Sequence, residues 1–302
     1  MGSSLLAALI EKWGYLNLPM RGRAVLPSYL IGRRNLSDPA IREHFRAAFL
    51  SAANADIKGG LGVSTRRADS SLINYEAVSK KLDILDHKSF SNLAELYTAY
   101  RELYAEAVLY KQITSVPGRH IELATDFPAY EGKNIETAFS RHFKNIVFFH
   151  MTRNFSEWCE AAASQYMARQ RGSLAFRFGS RLSQYKEYLD SIKDLRGSKI
   201  DFEDLFMPRL PSTIEMICKA LGEAPVSGNF EREQFDLYGR LFDYKSAFTK
   251  ADYPGKYFSG VSRSVARALY TSSLSRFGKS LAFHPFFVAE LFRNRRLRAE
   301  SD

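Results

Sequence analysis

Residues 144–167 read KNIVFFHMTRNFSEWCEAAASQYM. In NIVFFHM (145–151) the residues from Ile146 to Phe149 are all apolar, with no polar alternation until His150. A strand covered on both faces, as in a parallel sheet, has that pattern. From Phe155 onward the residues fit a helix. Arg153 stands two positions past the expected strand, at the start of that helix. Asn154 can cap the helix, and Glu157, three residues on, can return the hydrogen bond as a variant of the capping box. In a parallel sheet, ligands bind beyond the carboxyl ends of the strands. Free N–H groups at the helix start, their partial positive charge and the planar guanidinium fork of Arg153 together suit a phosphate.

Working outward, strands and helices alternate. RHIELA (119–124) is expected as a strand closed by Pro128, NIETAFSRHF (134–143) as a helix, and RLSQYKEYLDSIKDL (181–195) as another. KIDFEDLF (199–206) is expected as a short strand. PSTIEMICKALG (211–222) follows as a helix, with Pro211 in its first turn and Gly222 as its stop. Alternation of this kind argues for an α/β domain with a parallel sheet flanked by helices. Near the start, SSLLAALIEKWGY puts Leu5, Leu9 and Trp13 on one helical stripe, with Gly14 as stop. Residues 30–112 are expected as a mostly helical insertion or cap. Within it, Leu93, Leu96, Tyr97, Tyr100, Leu103, Tyr104 and Ala107 form an apolar helical face, read as core rather than a platform for bases. Residues 224–302 are expected as a helical and loop region ending in a basic tail, the whole chain 1–302 forming one domain.

The chain's 302 residues carry 43 Lys and Arg against 33 Asp and Glu, a formal net charge of +10. That balance favours polyanionic partners. Cys159 and Cys218 each sit among apolar residues at helical spacing and read as small core residues. The histidines show no metal-ligand spacing, and no metal is expected. No apolar run approaches the roughly 20 residues that span a bilayer, and no signal peptide is visible. A cytoplasmic setting is therefore expected, with peripheral membrane contact left open.

Three segments in order carry a resemblance. GSSLLAALIEKWGYL (2–16) is similar to the 5′-phosphosulfate loop and following helix of the PAPS-dependent sulfotransferases. HFKNIVFFHMTRNFSEWCEAAASQYM (142–167) resembles that family's 3′-phosphate motif, and KIDFEDLFMPRLPSTIEMICKALGE (199–223) its downstream strand, Glu-Asp-Leu and Leu-Gly helix. The resemblance implies a P-loop-type fold and transfer of a sulfuryl group from 3′-phosphoadenosine 5′-phosphosulfate (PAPS) to a hydroxyl or amine of a carbohydrate-like or other small acceptor. Gly2, Ser3 and Ser4 would hold the phosphosulfate and Arg153 the 3′-phosphate. A helix hydroxyl would help, for which Ser164 is the candidate where the family's usual position holds Ala161. Lys256, in DYPGKYFSG, would contact phosphate from the loop that closes over the donor. The family enters its phosphate loop from a buried strand with a basic residue, whereas this chain starts at Met1-Gly2 inside that loop, so either both lie upstream or the chain departs from the family in lacking them. Asp126-Phe127-Pro128 stands where the family often has Lys-Thr-Pro.

Sulfuryl transfer needs a base for the acceptor proton. Glu43 and His44 are the named candidates, with His120, Glu122, Asp126 and His150 as further ones; His150 reads as a satisfied crevice histidine. The absence of Gly-Lys-[Ser/Thr] disfavours a nucleotide kinase. The other class of reading is a non-catalytic basic protein of related fold that binds polyanions or a membrane surface. Nucleic acid is not expected as a partner.

Overall fold

The computed structural model describes residues 3–17, 75–92, 94–96, 98–99, 102, 118–121, 132–168, 172–206, 208–225, 234–236, 241–243 and 257–299. These are mostly helical, with short strands in pairs. In chain order they form α1 (Ser3–Ile10), a 3-10 turn (Glu11–Trp13), β1 (Leu16–Asn17), α2 (Tyr75–Asp86), β2 (His120–Ile121), α3 (Gly132–His142) and β3 (Phe149–Thr152). Then come α4 (Phe155–Ala168), α5 (Gly172–Ser191), β4 (Ser198–Asp201), a second 3-10 turn (Phe202–Leu205) and α6 (Leu210–Leu221). The strands β5 (Gln234–Asp236) and β6 (Leu241–Asp243) precede α7 (Gly260–Thr271) and α8 (Arg276–Ala299).

One core lies beneath the parallel strands. Leu6, Leu9, Ile10 and Trp13 of the first helix and its 3-10 extension bury against Ile200, Leu205 and Phe206. Leu210, Ile214, Ile217 and Cys218 of α6 complete it, and Ile121, Phe149 and Met151 pack onto it. The helical stripe read from the sequence therefore finds its partner. Gly14 ends the extension with φ 76°, its N–H donating to the Glu11 carbonyl at 2.9 Å. Gly222 ends α6 the same way, at φ 69°. Strand β1 runs parallel to β2, and β3 parallel to β4 with Phe149 opposite Ser198 and Thr152 opposite Asp201. The Ser198 N–H donates to the Phe148 carbonyl at 2.9 Å. Gly197 leads into β4 at φ 112°, and a Cβ there would collide with the Phe148 backbone. Only glycine permits both that dihedral and that approach.

Backbone groups of alternate residues point to opposite edges of a strand. Phe148, His150 and Thr152 face β4, so Met151 and Arg153 face the other edge. There the Tyr188 hydroxyl donates to the Met151 carbonyl at 2.8 Å, and the Tyr185 hydroxyl to the Arg153 carbonyl. Helix α5 thus satisfies with tyrosines an edge that would otherwise expose acceptors.

The second core is helical and aromatic. Trp158, Phe178, Tyr185, Phe258, Phe283 and Phe287 bury together with Cys159, Leu182 and Ala266. Trp158 stacks on Tyr185 with centroids 4.2 Å apart, and Phe178 meets Phe258 edge-on at 5.3 Å. Helices α5 and α8 cross at Gly179, where an added Cβ would overlap the Lys279 carbonyl and Ser280 Cα. Ser259 caps α7, its side chain accepting from the Ser262 N–H at 3.2 Å.

Several expectations change. The strand expected from Asn145 begins at Phe149, and its residues are half-buried rather than covered on both faces. Phe149 and Met151 enter the core, while the alternate His150 meets Glu136 and the Arg196 carbonyl on the polar side. KIDFEDLF is a strand only to Asp201 and then a 3-10 turn. Helix α5 starts earlier than expected, since Gly179 serves the helix crossing instead of stopping the chain. The basic tail is helical as far as Ala299. Of the expected insertion, α2 is helical, while most of the tyrosine-rich face lies outside the described residues. Both cysteines are buried, one in each core, as expected.

Candidate functional site

The carboxyl ends of β3 and β4 bring Arg153, Asn154, Glu157 and Glu203 together. Asn154 caps α4, its Oδ1 accepting from the Glu157 N–H at 3.0 Å. Glu157 brings its carboxylate to Arg153, Oε2 lying 3.5 Å from Nε. Arg153 is not open to solvent, at 9% exposed. Its guanidinium lies over the Phe202 ring, 4.1 Å from the centroid. Its backbone N–H donates to the Tyr185 hydroxyl at 3.1 Å. Phe202 packs on the strand core and Tyr185 belongs to the aromatic one, so Arg153 joins the two.

Glu203 was not singled out by sequence reasoning. It receives a hydrogen bond from Asn154 Nδ2 at 3.3 Å and shares one with Glu157. Burial first, then that shared hydrogen bond and the Glu157 charge, push its carboxyl up to about 7, against the opposing pull of Arg153. Two carboxyls that close do not both ionise readily, and one of them can hold a proton near neutrality. The Glu-Asp pair after a short strand was the available signal. Its pairing with Glu157 depends on the β3–β4 register, which local pattern does not specify. Beside them, Thr152 donates to the Asp201 carboxylate across the register pair.

Of the other expected site residues, Ser3 and Ser4 open α1, the helix whose Leu6, Leu9 and Ile10 share a core with Met151. Ser164 lies within α4. Gly2, Lys256, Glu43, His44, Glu122 and Asp126 fall outside the described residues. His120 is in β2. His150 donates from Nε2 to the Arg196 carbonyl at 2.8 Å and lies 3.8 Å from Glu136, the satisfied histidine that was expected. Among the described residues no cluster of His, Cys, Asp and Glu could hold a metal, and no helix is long and apolar enough to cross a membrane. The chain matches no family model, no curated protein and no solved structure.

Proposed function

We propose that the chain binds a phosphonucleotide sulfuryl donor of the PAPS type at the carboxyl ends of β3 and β4 and transfers its sulfuryl group to a small hydroxyl or amine acceptor, on a P-loop-type sheet. One observation carries the reading: Arg153 sits between the end of a parallel strand and an Asn154-capped helix. A helix start and a guanidinium together are a strong anion seat. In this reading Glu157 is the resident anion that a 3′-phosphate displaces, while Phe202 keeps the guanidinium in place. Ser3 and Ser4 at the start of α1, with Gly2, hold the donor's other anionic end, and Ser164 and Lys256 contribute further contacts. The donor supplies the sulfuryl group. Glu43 and His44 are the candidate bases for the acceptor proton.

The other reading, a non-catalytic binder of polyanions, draws on the fact that Arg153 already has Phe202 and Glu157 as partners. Calorimetry with adenosine 3′,5′-bisphosphate separates the two. One-to-one binding is expected, weakened about tenfold in Arg153→Lys, which keeps the charge and loses the planar fork. Equal affinity for any polyanion, falling steeply with salt, would replace the enzyme reading with the second.

A further inference from the structure

A different face of α4 looks toward α7, and the two enclose a cleft. Its volume is about 120 Å³, and its walls are Phe155, Ser156, Cys159, Arg263, Ser264 and Arg267. A single water needs only about 10–15 Å³ on such a measure, so the space takes a larger guest. The lining residues include two arginines and two serines and no acidic residue, beside Phe155 and Cys159. Burial and the neighbouring Glu160 charge push the Cys159 thiol up to about 12, so it is neutral at physiological pH.

The charges in this cleft are not balanced from within. Arg263 and Arg267 lie one turn apart on α7, an arrangement in which like charges oppose each other. Arg263 reaches one carboxylate loosely, its Nε 3.8 Å from Glu160 Oε1. Glu160 spends its other oxygen on the Tyr257 N–H at 3.3 Å, and burial raises its carboxyl above the ordinary range. Among the described residues Arg267 makes no ion pair. Ser156 stands in the first turn of α4, whose leading N–H groups have no acceptor within the helix. Arg153, three positions earlier, is turned to Phe202 and Glu157 and is not part of the lining.

We infer that this cleft is a second oxyanion site, taking a tetrahedral phosphate or sulfate group between the paired guanidiniums of α7 and the start of α4. A tetrahedral dianion offsets the Arg263–Arg267 repulsion, accepts from both forks and reaches the hydroxyls of Ser156 and Ser264. Glu160 is the carboxylate with which it shares Arg263. The inference stands on α7 and does not depend on the reading of Arg153.

The test is calorimetric titration of the full chain with inorganic phosphate and with sulfate, ionic strength held constant with sodium chloride. Saturable binding is expected. Arg267→Gln, a change at an exposed position, weakens it about tenfold, the loss of one charge-assisted contact. Arg267→Lys recovers part of that loss, and the Arg267-dependent component of the binding persists in Arg153→Lys. Phenyl phosphate identifies the source of the group: tighter binding than inorganic phosphate marks an organic monoester seated over Phe155, and equal binding marks the free ion. Unaltered affinity in Arg267→Gln, or the same heat from sodium chloride alone, overturns the site. Weakened adenosine 3′,5′-bisphosphate binding in Arg153→Lys, with the Arg267-dependent phosphate binding intact, separates the two proposals.

Discussion

The core beneath the strands is largely aliphatic, built from Leu6, Leu9, Ile10, Ile200, Ile214 and Ile217, and its buried members carry no ionised side chain. The core around Phe178 is built from rings, and buried ionisable groups stand at its margin: Glu160, Lys279 and Glu290 are 7%, 3% and 3% exposed. Each of these is answered locally. Glu290 accepts from the Ser262 hydroxyl at 2.6 Å and the Ser259 N–H at 2.7 Å, and lies 2.6 Å from Arg293 Nε. Burial would raise its carboxyl, but those hydrogen bonds and Arg293 prevail and hold it below the ordinary range. Lys279 donates to the Tyr270 carbonyl at 3.3 Å, while burial and Lys186 lower its affinity for its proton. The aliphatic core positions strand ends, whereas the aromatic core fixes helix crossings and can tolerate charge because every charge has a near partner.

The largest expected effect tests whether the two cores are one folding unit. Phe178, fully buried, touches Trp158, Phe258, Phe283 and Phe287. Phe178→Ala is expected to cost about 4 kcal/mol, from lost transfer energy and the cavity left behind. Urea unfolding followed by tryptophan fluorescence reads both cores, since Trp13 lies in one and Trp158 in the other. A single displaced transition is expected. Two transitions, with the Trp13 signal unmoved, would show that the cores melt independently.

The joint between them can be loosened with a smaller change. Tyr185 answers both the N–H and the carbonyl of Arg153. Tyr185→Phe keeps the Trp158 stack and leaves two buried backbone groups without that partner, at about 2 kcal/mol. The same urea experiment checks it, and an effect near zero would mean that water replaces the hydroxyl and that the joint is only the Arg153–Phe202 contact.

The same comparison explains what was legible in the sequence. Helices α1 and α6 show because their apolar residues recur at helical spacing with glycine at the end, and Gly14 and Gly222 adopt the left-handed geometry that such a stop requires. The strand–arginine–helix order around Arg153 shows for similar reasons. Helix α8 was harder to read: Lys279, Ser280 and Glu290 occupy buried positions where the periodicity calls for apolar residues, and Pro285 interrupts the run. Proline lacks the N–H that would bond the carbonyl four residues back, yet Leu281 is 61% exposed, so water can reach that turn. The environment of Arg153 was the least legible part. Spacing along the chain puts Glu157 one turn away, but only tertiary register brings Glu203 and Phe202 to the same place.

The smallest effect concerns that register-made pair. Glu203 titrates at about 7 in the folded chain against an ordinary 4.5, so the folded state holds its proton more tightly than the unfolded state does. Where the folded state binds more protons, stability falls as pH rises. The loss therefore runs from about pH 4.5 to about pH 7 and levels off above it. Below that window both states carry the proton and the pair costs nothing. Glu203→Gln copies the protonated carboxyl at every pH, so the variant should match the wild type near pH 4.5, show a flatter profile, and be the more stable of the two above pH 7. Thermal unfolding at half-unit steps from pH 4 to pH 8.5 reads the difference. Parallel profiles would mean that Glu157 and Glu203 are both ionised and individually solvated, and Arg153 would then be the guanidinium of an ordinary ion pair rather than the cation beside a proton-sharing carboxyl pair.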